Sequence, residues 1–296
     1  MNIALDCIPC IVNSFTKLLH SNNISQDKHE EAMRRLLSFL STVDYQQSPP
    51  ALGREMQRLI REMTQNPDPY RDIKKASNDM MVREVERLQQ IVSDSDDPFQ
   101  TALRLAIAGN VIDYGPQDRL DVWATIDRVL HEQFAVDDSE QLREELKSCT
   151  QLLYIGDNCG EIVLDKIFLQ TIGHPNAYFA VRGGPTINDA TLDDAVELGL
   201  DKLATLVTTG DNAPGAVWET TSEEFRNIFL SSDVVISKGQ GNLEGLIDVD
   251  HNIFSIFVAK CDLIAARVGA RKGDFIVKRQ ADSTDQGHAN GRGKSR

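Results

Sequence analysis

Several things are scarce in this 296-residue sequence, and each scarcity closes off a class of function. Positive charge is short: 31 Lys and Arg stand against 45 Asp and Glu, a net charge of −14. Nucleic-acid backbones draw their binding free energy from clustered Lys and Arg, so no such partner is expected, and no anionic membrane surface either. No stretch of about 18 apolar residues occurs, so no transmembrane helix is expected. The opening residues, Met1 to Cys7, lack the basic and apolar regions of a signal peptide. Cysteine is sparse and odd in number, five in all, at positions 7, 10, 149, 159 and 261. That pattern argues against a disulfide framework and predicts a reducing cytoplasm.

Familiar cofactor motifs are missing too. There is no G-x-x-x-x-G-K-[ST] phosphate loop and no G-x-G-x-x-G after a strand, which weakens dinucleotide binding. Residues 157–159 read Asp-Asn-Cys, not Asp-x-Asp, so attack by metal-bound water fits better than a covalent aspartyl phosphate. What remains is ordinary globular composition, 41% hydrophobic and 26% charged, in a chain long enough for one or two domains. An acidic protein can still bind an anionic metabolite if a metal, a Lys or a helix N-terminus supplies local positive charge.

The two halves differ in periodicity. Apolar residues recur at three-to-four spacing through 11–19, 33–40, 59–63, 70–91, 99–112, 120–134 and 139–149, which predicts helices. Almost nothing before residue 150 reads as a strand. Beyond it, short apolar runs at 151–155, 177–181, 202–207, 234–236, 253–257 and 275–277 alternate with helical segments at 161–169, 191–198, 222–230, 243–247 and 262–268. Strands alternating with helices predict an α/β fold, a Rossmann-like, mainly parallel sheet. The expected organisation is a helical region over 1–149, an α/β domain over 150–278 and a disordered polar tail over 279–296.

In an open parallel sheet ligands bind beyond the C-terminal ends of the strands. Four successive strand ends carry polar, glycine-rich loops: 156–161, 182–189, 208–212 and 237–242. Asp157 and Asn158 offer a carboxylate and an amide oxygen from one turn, and Asp189 adds a second carboxylate. Such hard oxygen donors suit Mg²⁺ or Mn²⁺ with positions left for water and phosphate. Lys238 offers a charge for a phosphate oxygen, Gly239 lets backbone approach, and the helix starting near Gly160 aims its N-terminus at the same place. Each feature alone has a plain structural reading: an Asp-Asn turn caps a strand, Lys-Gly is a solvated turn, and 188–191 caps a helix. Their joint occurrence is what points to a site. Asp211 and Asn212 read as structural, with Gly210 as a possible close-approach position. Cys7 and Cys10, at C-x-x-C spacing, could form part of a second metal site or a redox pair, or be buried thiols.

Taken in order, the motifs resemble the DUF89 family of damage-control phosphatases, related to the ARMT1-like domain, and in particular its Cys-x-x-Cys subfamily. The carriers are Cys7 to Cys10, Asp68-Pro69-Tyr70, Lys74, Asn78, the 108–115 block, Gly156 to Glu161, Arg182 to Asp194, Lys238 to Asn242 and Lys260-Cys261. The resemblance implies a helical region packed on a Rossmann-like domain and metal-dependent hydrolysis of phosphate esters. It implies Asp157, Asn158 and Asp189 as metal ligands and Lys238 as the phosphate-binding lysine. Glu161, Arg182 and Asn242 become neighbours in the substrate crevice, with Asn110 and Asp113 reaching it from the helical half. Cys159 stands where Ala is common and is small enough to fit.

The leading expectation is therefore a metal-dependent phosphatase of small phosphorylated metabolites, with Mg²⁺, Mn²⁺, Co²⁺ or Ni²⁺ as cofactor and Asp157, Glu161 and Lys238 at the chemistry. The alternatives are an S-adenosylmethionine-dependent methyltransferase, disfavoured by the missing glycine-rich loop, and a non-catalytic phosphometabolite sensor. Substrate identity and oligomeric state have no signature in the sequence.

Overall fold

The computed structural model describes residues 1–21, 24–111 and 122–280. Helices dominate its first half: α1 (Cys7–Ser21), α2 (Gln26–Leu40), α3 (Pro49–Thr64), α4 (Arg71–Val82), α5 (Val85–Ser93), α6 (Pro98–Val111) and α7 (Val122–His131). A two-residue strand, β1 (Val136–Asp137), and α8 (Ser139–Ser148) lead into an alternating series. That series runs β2 (Leu152–Ile155), α9 (Glu161–Ile172), β3 (Ala177–Val181), α10 (Leu192–Glu197), β4 (Thr205–Thr208) and α11 (Glu223–Ser231). It closes with β5 (Val234–Lys238), α12 (Gln240–Leu246), β6 (Ile253–Val258), α13 (Asp262–Val268) and β7 (Phe275–Gln280).

Local chemistry sets many of these boundaries. Pro49 and Pro50 open α3, where a missing N–H costs nothing. Ser222 caps α11, its hydroxyl accepting from Phe225 N at 3.1 Å, and Thr191 with Asp194 forms a capping box on α10. Gly173 and Gly269 end α9 and α13 in the left-handed conformation that glycine adopts without strain.

The strands form one sheet in the order β1-β7-β6-β5-β2-β3-β4, parallel except where β7 runs against β6. From β2 the chain winds outward through β3 and β4, then crosses back to lay β5 on the other side of β2. The sense of winding reverses between β2 and β5, and at such a switch point the two loops diverge and leave a crevice. β2, β5 and β6 are buried along their whole length, as expected for strands with both faces covered. One apolar core joins the sheet to α6 and α9 through Leu103, Ile107, Ile162, Phe168 and Phe179. A second lies on the opposite face against α11 through Phe225 and Phe229. Helices α1 to α3 enclose a core of their own around Phe15, Leu36 and Ile60, and α3 also packs against α12.

The structure differs from the periodicity in four places. The helical stretch expected over 70–91 is two helices, α4 and α5, with a turn at Arg83-Glu84. No Gly or Pro marks this turn; it lets α4 bury Asn78 and Met81 while α5 buries Leu88 and Val92. Leu200–Lys202 is a 3₁₀ turn, so β4 begins at Thr205 and not at 202. β1, paired with β7, is too short to show alternation. β7 runs on through Arg279 and Gln280, placed in the polar tail by sequence, because they pair with Phe254 and Ile253 and Arg279 also meets Glu145 at 2.9 Å. Among the described residues no helix is long and apolar enough to cross a membrane.

The contact that seats the helical half over the sheet is α6 on α9, and it is tight at Gly109. A Cβ added there would lie 2.9 Å from both Cα and Cγ of Glu161. Gly109→Ala therefore pushes apart two helices whose next residues, Asn110 and Glu161, both face the crevice. We expect a net loss of about 1–2 kcal/mol by urea unfolding, overpacking outweighing the gain in helix propensity. Unchanged stability would show that the helices can separate freely.

Candidate active site

The crevice is built from loops at the C-terminal ends of β2, β3, β5 and β6. The first two loops are zipped together by an isolated antiparallel bridge between Asn158 and Asp189. Within it Cys159 N donates to Asn188 O and Ala190 N to Asp157 O, each at 2.8 Å. This backbone pairing fixes the carboxylates of Asp157 and Asp189 on one wall.

Arg182, at the end of β3, spans them. Its Nη2 donates to Asp157 Oδ1 at 2.8 Å, its Nε to Asp189 Oδ2 at 2.5 Å and its Nη1 to Asn242 Oδ1 at 2.8 Å. The planar guanidinium can serve three acceptors in one plane, which a lysine could not. Asn242, on α12, donates to Gly156 O and Lys238 O and ties β2 to β5 from below. Gly239 follows β5 at φ +79°, and a Cβ on it would fall 2.1 Å from Asp157 Oδ2. Only glycine lets that carboxylate sit against the β5 loop.

The other oxygen of Asp157 faces a second cluster. Asn158 Nδ2 donates to Asp157 Oδ2 at 2.9 Å and to Glu161 Oε2 at 3.1 Å. Asn110 Nδ2, from the end of α6, donates to the same two oxygens at 3.3 Å. Glu161 is fully buried, and its Oε1 receives Lys238 Nζ at 2.7 Å.

Most of the sequence-predicted residues thus converge: Asp157, Asn158, Asp189, Glu161, Arg182, Lys238, Gly239, Asn242 and Asn110 occupy one site. Lys238, however, does not face open space. It is fully buried, and its three donors go to Glu161, to Asp165 at 2.5 Å and to Ala106 O at 2.8 Å. Helix α9 does start at the crevice, but the amides of Gly160, Ile162 and Val163 already serve Asn78, Asn158 O and Gly160 O. Gly210 packs against Ser222 and under Gly183 instead of opening toward a ligand. Asp113 lies outside the described residues.

Two residues that the pattern reading passed over belong to the site. Asp165 sits one turn after Glu161 on a helix otherwise apolar on its buried side; a lone acid among Leu164, Ile167 and Phe168 was the readable signal. Lys260, just beyond β6, has an exposed side chain with no hydrogen bond or ion pair among the described residues, and its charge favours ionisation of both Asp157 and Asp189. It also lines a cavity of about 790 Å³ shared with Cys7, Cys10, Ile187, Pro214 and Cys261. All three of those thiols are free.

A sequence profile of the damage-control phosphatase ARMT1-like domain matches residues 3–276. The chain belongs to this family, also called DUF89. It is 31% identical over 288 residues to a damage-control phosphatase of Pyrococcus horikoshii, covering 94% of this chain and 98% of that one. Identity is 32% over 235 residues to a damage-control phosphatase of Archaeoglobus fulgidus, covering 77% and 81%. With an uncharacterised protein of Methanocaldococcus jannaschii it is 30% over 292 residues, covering 94% and 95%. A crystal structure of a DUF89 protein of Pyrococcus horikoshii has a TM-score of 0.85 at 30% identity, covering 94% of this chain and 99% of that chain.

The electrostatics of this DUF89 site show what it can hold. Burial, then the charges of Asp189 and Glu161, push Asp157 up to about 7. Burial likewise raises Asp189. Burial would also raise Glu161, but Lys238 beside it brings that carboxyl below its ordinary value. Carboxylates that resist ionising because they crowd one another are relieved by a cation. Among the described residues no three His, Cys, Asp or Glu side chains are placed to hold a metal by themselves. Two carboxylates and the Asn158 amide are oxygen donors of the kind that could hold a hard divalent ion.

The raised carboxyls fix the sign of a pH effect. Asp157 and Asp165 each titrate at about 7 in the fold and near the reference value of about 3.9 when unfolded. Between these values the folded state holds the extra protons, so their stabilising contribution is present at low pH and lost as pH rises through 7. Chelator-treated protein should melt at a higher temperature at pH 5.5 than at pH 8, and Asp157→Asn should shrink the difference. Melting temperatures that climb steadily over this range would contradict the assignment.

Proposed function

We propose that this chain is a divalent-metal-dependent phosphatase acting on phosphate esters of small metabolites, sugar phosphates or damaged phosphometabolites. The observation that carries the reading is the pair Asp157 and Asp189. These are two buried like charges, zipped together at the switch point of the sheet in a chain whose relatives include damage-control phosphatases. Asp157, Asn158 and Asp189 would hold the cation. When bound, it supplies charge neutralisation at the phosphoryl oxygens and an acidified water.

The protein's own groups do the rest. Arg182 bonds one oxygen of each carboxylate, and its charge favours their ionised forms against the burial that raises them. Lys260, whose ammonium has no partner among the described residues and whose charge acts on Asp157 and Asp189, meets the incoming phosphate. Glu161 stays ionised against Lys238 and holds the Asn158 amide through Oε2. Because Arg182 and Lys238 are both spent on internal acids, an anion gains little attraction without the cation. The free thiols and the absence of a charge pattern for nucleic acid fit a small-molecule enzyme of the cytoplasm.

Purified protein freed of metal and assayed on p-nitrophenyl phosphate and a sugar-phosphate panel should turn over only when Mg²⁺, Mn²⁺, Co²⁺ or Ni²⁺ is restored. Asp157→Asn, nearly isosteric, should cut kcat at least about 100-fold while keeping a cooperative melt. A well-folded Asp157→Asn protein with wild-type turnover would overturn the reading. Saturable thermal stabilisation by phosphate esters without any turnover would instead favour a sensor.

A further inference from the structure

Four secondary-structure elements meet at a buried polar chain, and the phosphatase reading leaves two of its members, Tyr154 and Asp165, without a role. Tyr154 on β2 donates to Asp165 Oδ1 at 2.7 Å, and Lys238 Nζ donates to that same oxygen at 2.5 Å. Asp165 Oδ2 is buried and has no hydrogen-bond partner among the described residues. All the bonding of Asp165 is therefore gathered on the one oxygen that draws the ammonium inward. Lys238 then reaches Glu161 Oε1 with its second donor and the α6 carbonyl of Ala106 with its third. Glu161 presents its remaining oxygen to the amide of Asn158, which in turn bonds Asp157 Oδ2. Donors and acceptors alternate along this chain, which links the middle of the sheet to the wall of the crevice.

A purely structural role is a poor account of it. Tyr154, Glu161, Asp165 and Lys238 are all fully buried. Replacing buried ions by apolar groups of similar volume is often neutral or stabilising. An unpaired carboxylate oxygen in such surroundings adds further cost. The arrangement ends on two proposed metal ligands, Asn158 and Asp157, and leaves Lys238 no donor for a phosphate.

We propose that Asp165 and Tyr154 are positioning residues that hold the Lys238 ammonium against Glu161, so that Glu161 orients Asn158 beside Asp157. The proposal rests on the metal-dependent reading above. Lys238 acts on the site through Glu161 and never touches the phosphate. Groups that orient metal ligands from behind typically account for 10–100-fold in metal affinity.

The test uses the full chain carrying Asp165→Asn or Tyr154→Phe. Mn²⁺ affinity is measured by calorimetry without substrate, and kcat, KM and inhibition by inorganic phosphate are measured at saturating Mn²⁺. Asp165→Asn should weaken Mn²⁺ about tenfold and lower kcat, with KM and phosphate inhibition within about twofold of wild type. Tyr154→Phe removes one hydrogen bond and should move the same two quantities by a smaller factor; it carries the test if Asp165→Asn does not fold. Both variants binding Mn²⁺ like wild type would overturn the proposal, and so would weakened phosphate inhibition with Mn²⁺ affinity intact. A wild-type protein that neither binds Mn²⁺ nor hydrolyses any ester would sink the metal-dependent reading and the proposal with it. Wild-type binding matched by both variants would sink only the positioning role.

Discussion

Four carboxylates and two cations are packed beneath the C-terminal edge of the sheet, and none of the six is more than 8% exposed. Each ion removed from water costs several kcal/mol unless its partners restore the lost solvation. Asp157, Glu161, Asp165 and Asp189 exceed Arg182 and Lys238 by two negative charges, so internal pairing cannot balance the group. Much of the local architecture serves this one constraint. The loops after β2 and β3 are zipped because Arg182 must reach an acid on each, and the β5 loop turns through Gly239 because Asp157 Oδ2 lies where a side chain would begin. Burial first, and the neighbouring acids after it, push Asp157 and Asp165 up to about 7.

The topology makes the constraint possible. Because β5 returns beside β2 after the chain has moved outward through β3 and β4, residues far apart in sequence end level with one another. Lys238 meets Glu161 across 77 positions, and Arg182 meets Asn242 across 60. The helical half closes the site from above. Asn110 at the end of α6 reaches both Asp157 and Glu161, and Asn78 of α4 fixes the turn at Gly160. Neither half holds the complete set of polar partners.

How legible all this was in the sequence depends on the interaction involved. The α/β alternation and the polar strand ends were readable because period and loop chemistry are local. The break between α4 and α5 was not, since no Gly or Pro marks Arg83-Glu84 and packing on α9 and α6 decides it. β1 was invisible because two residues carry no alternation. Within the site, Asp157 and Asp189 could be paired by their place at adjacent strand ends. Lys238 could not be placed correctly, because a lysine after a strand in a glycine-rich loop looks the same whether it points into the crevice or down into the core. Its true partner, Asp165, carried a signal of its own, an acid set among Leu164, Ile167 and Phe168. That signal pointed to burial and needed the fold to say with what.

The two buried cations divide the work in a way their chemistry dictates. Arg182 has a rigid planar fork and spans three acceptors on three elements, which suits clamping two loops. Lys238 is a point charge on a long stem and reaches down to gather Asp165, Glu161 and a helix carbonyl, which suits anchoring α9 to β5. Neither is free to meet a ligand, and the first amides of α9 are largely spoken for. On the proposed reading, positive potential for a ligand therefore comes from Lys260, whose charge acts on Asp157 and Asp189, and from a cation that the acids attract. A chain with net charge −14 would bind an anion by first concentrating negative charge, which makes anion affinity conditional on the metal.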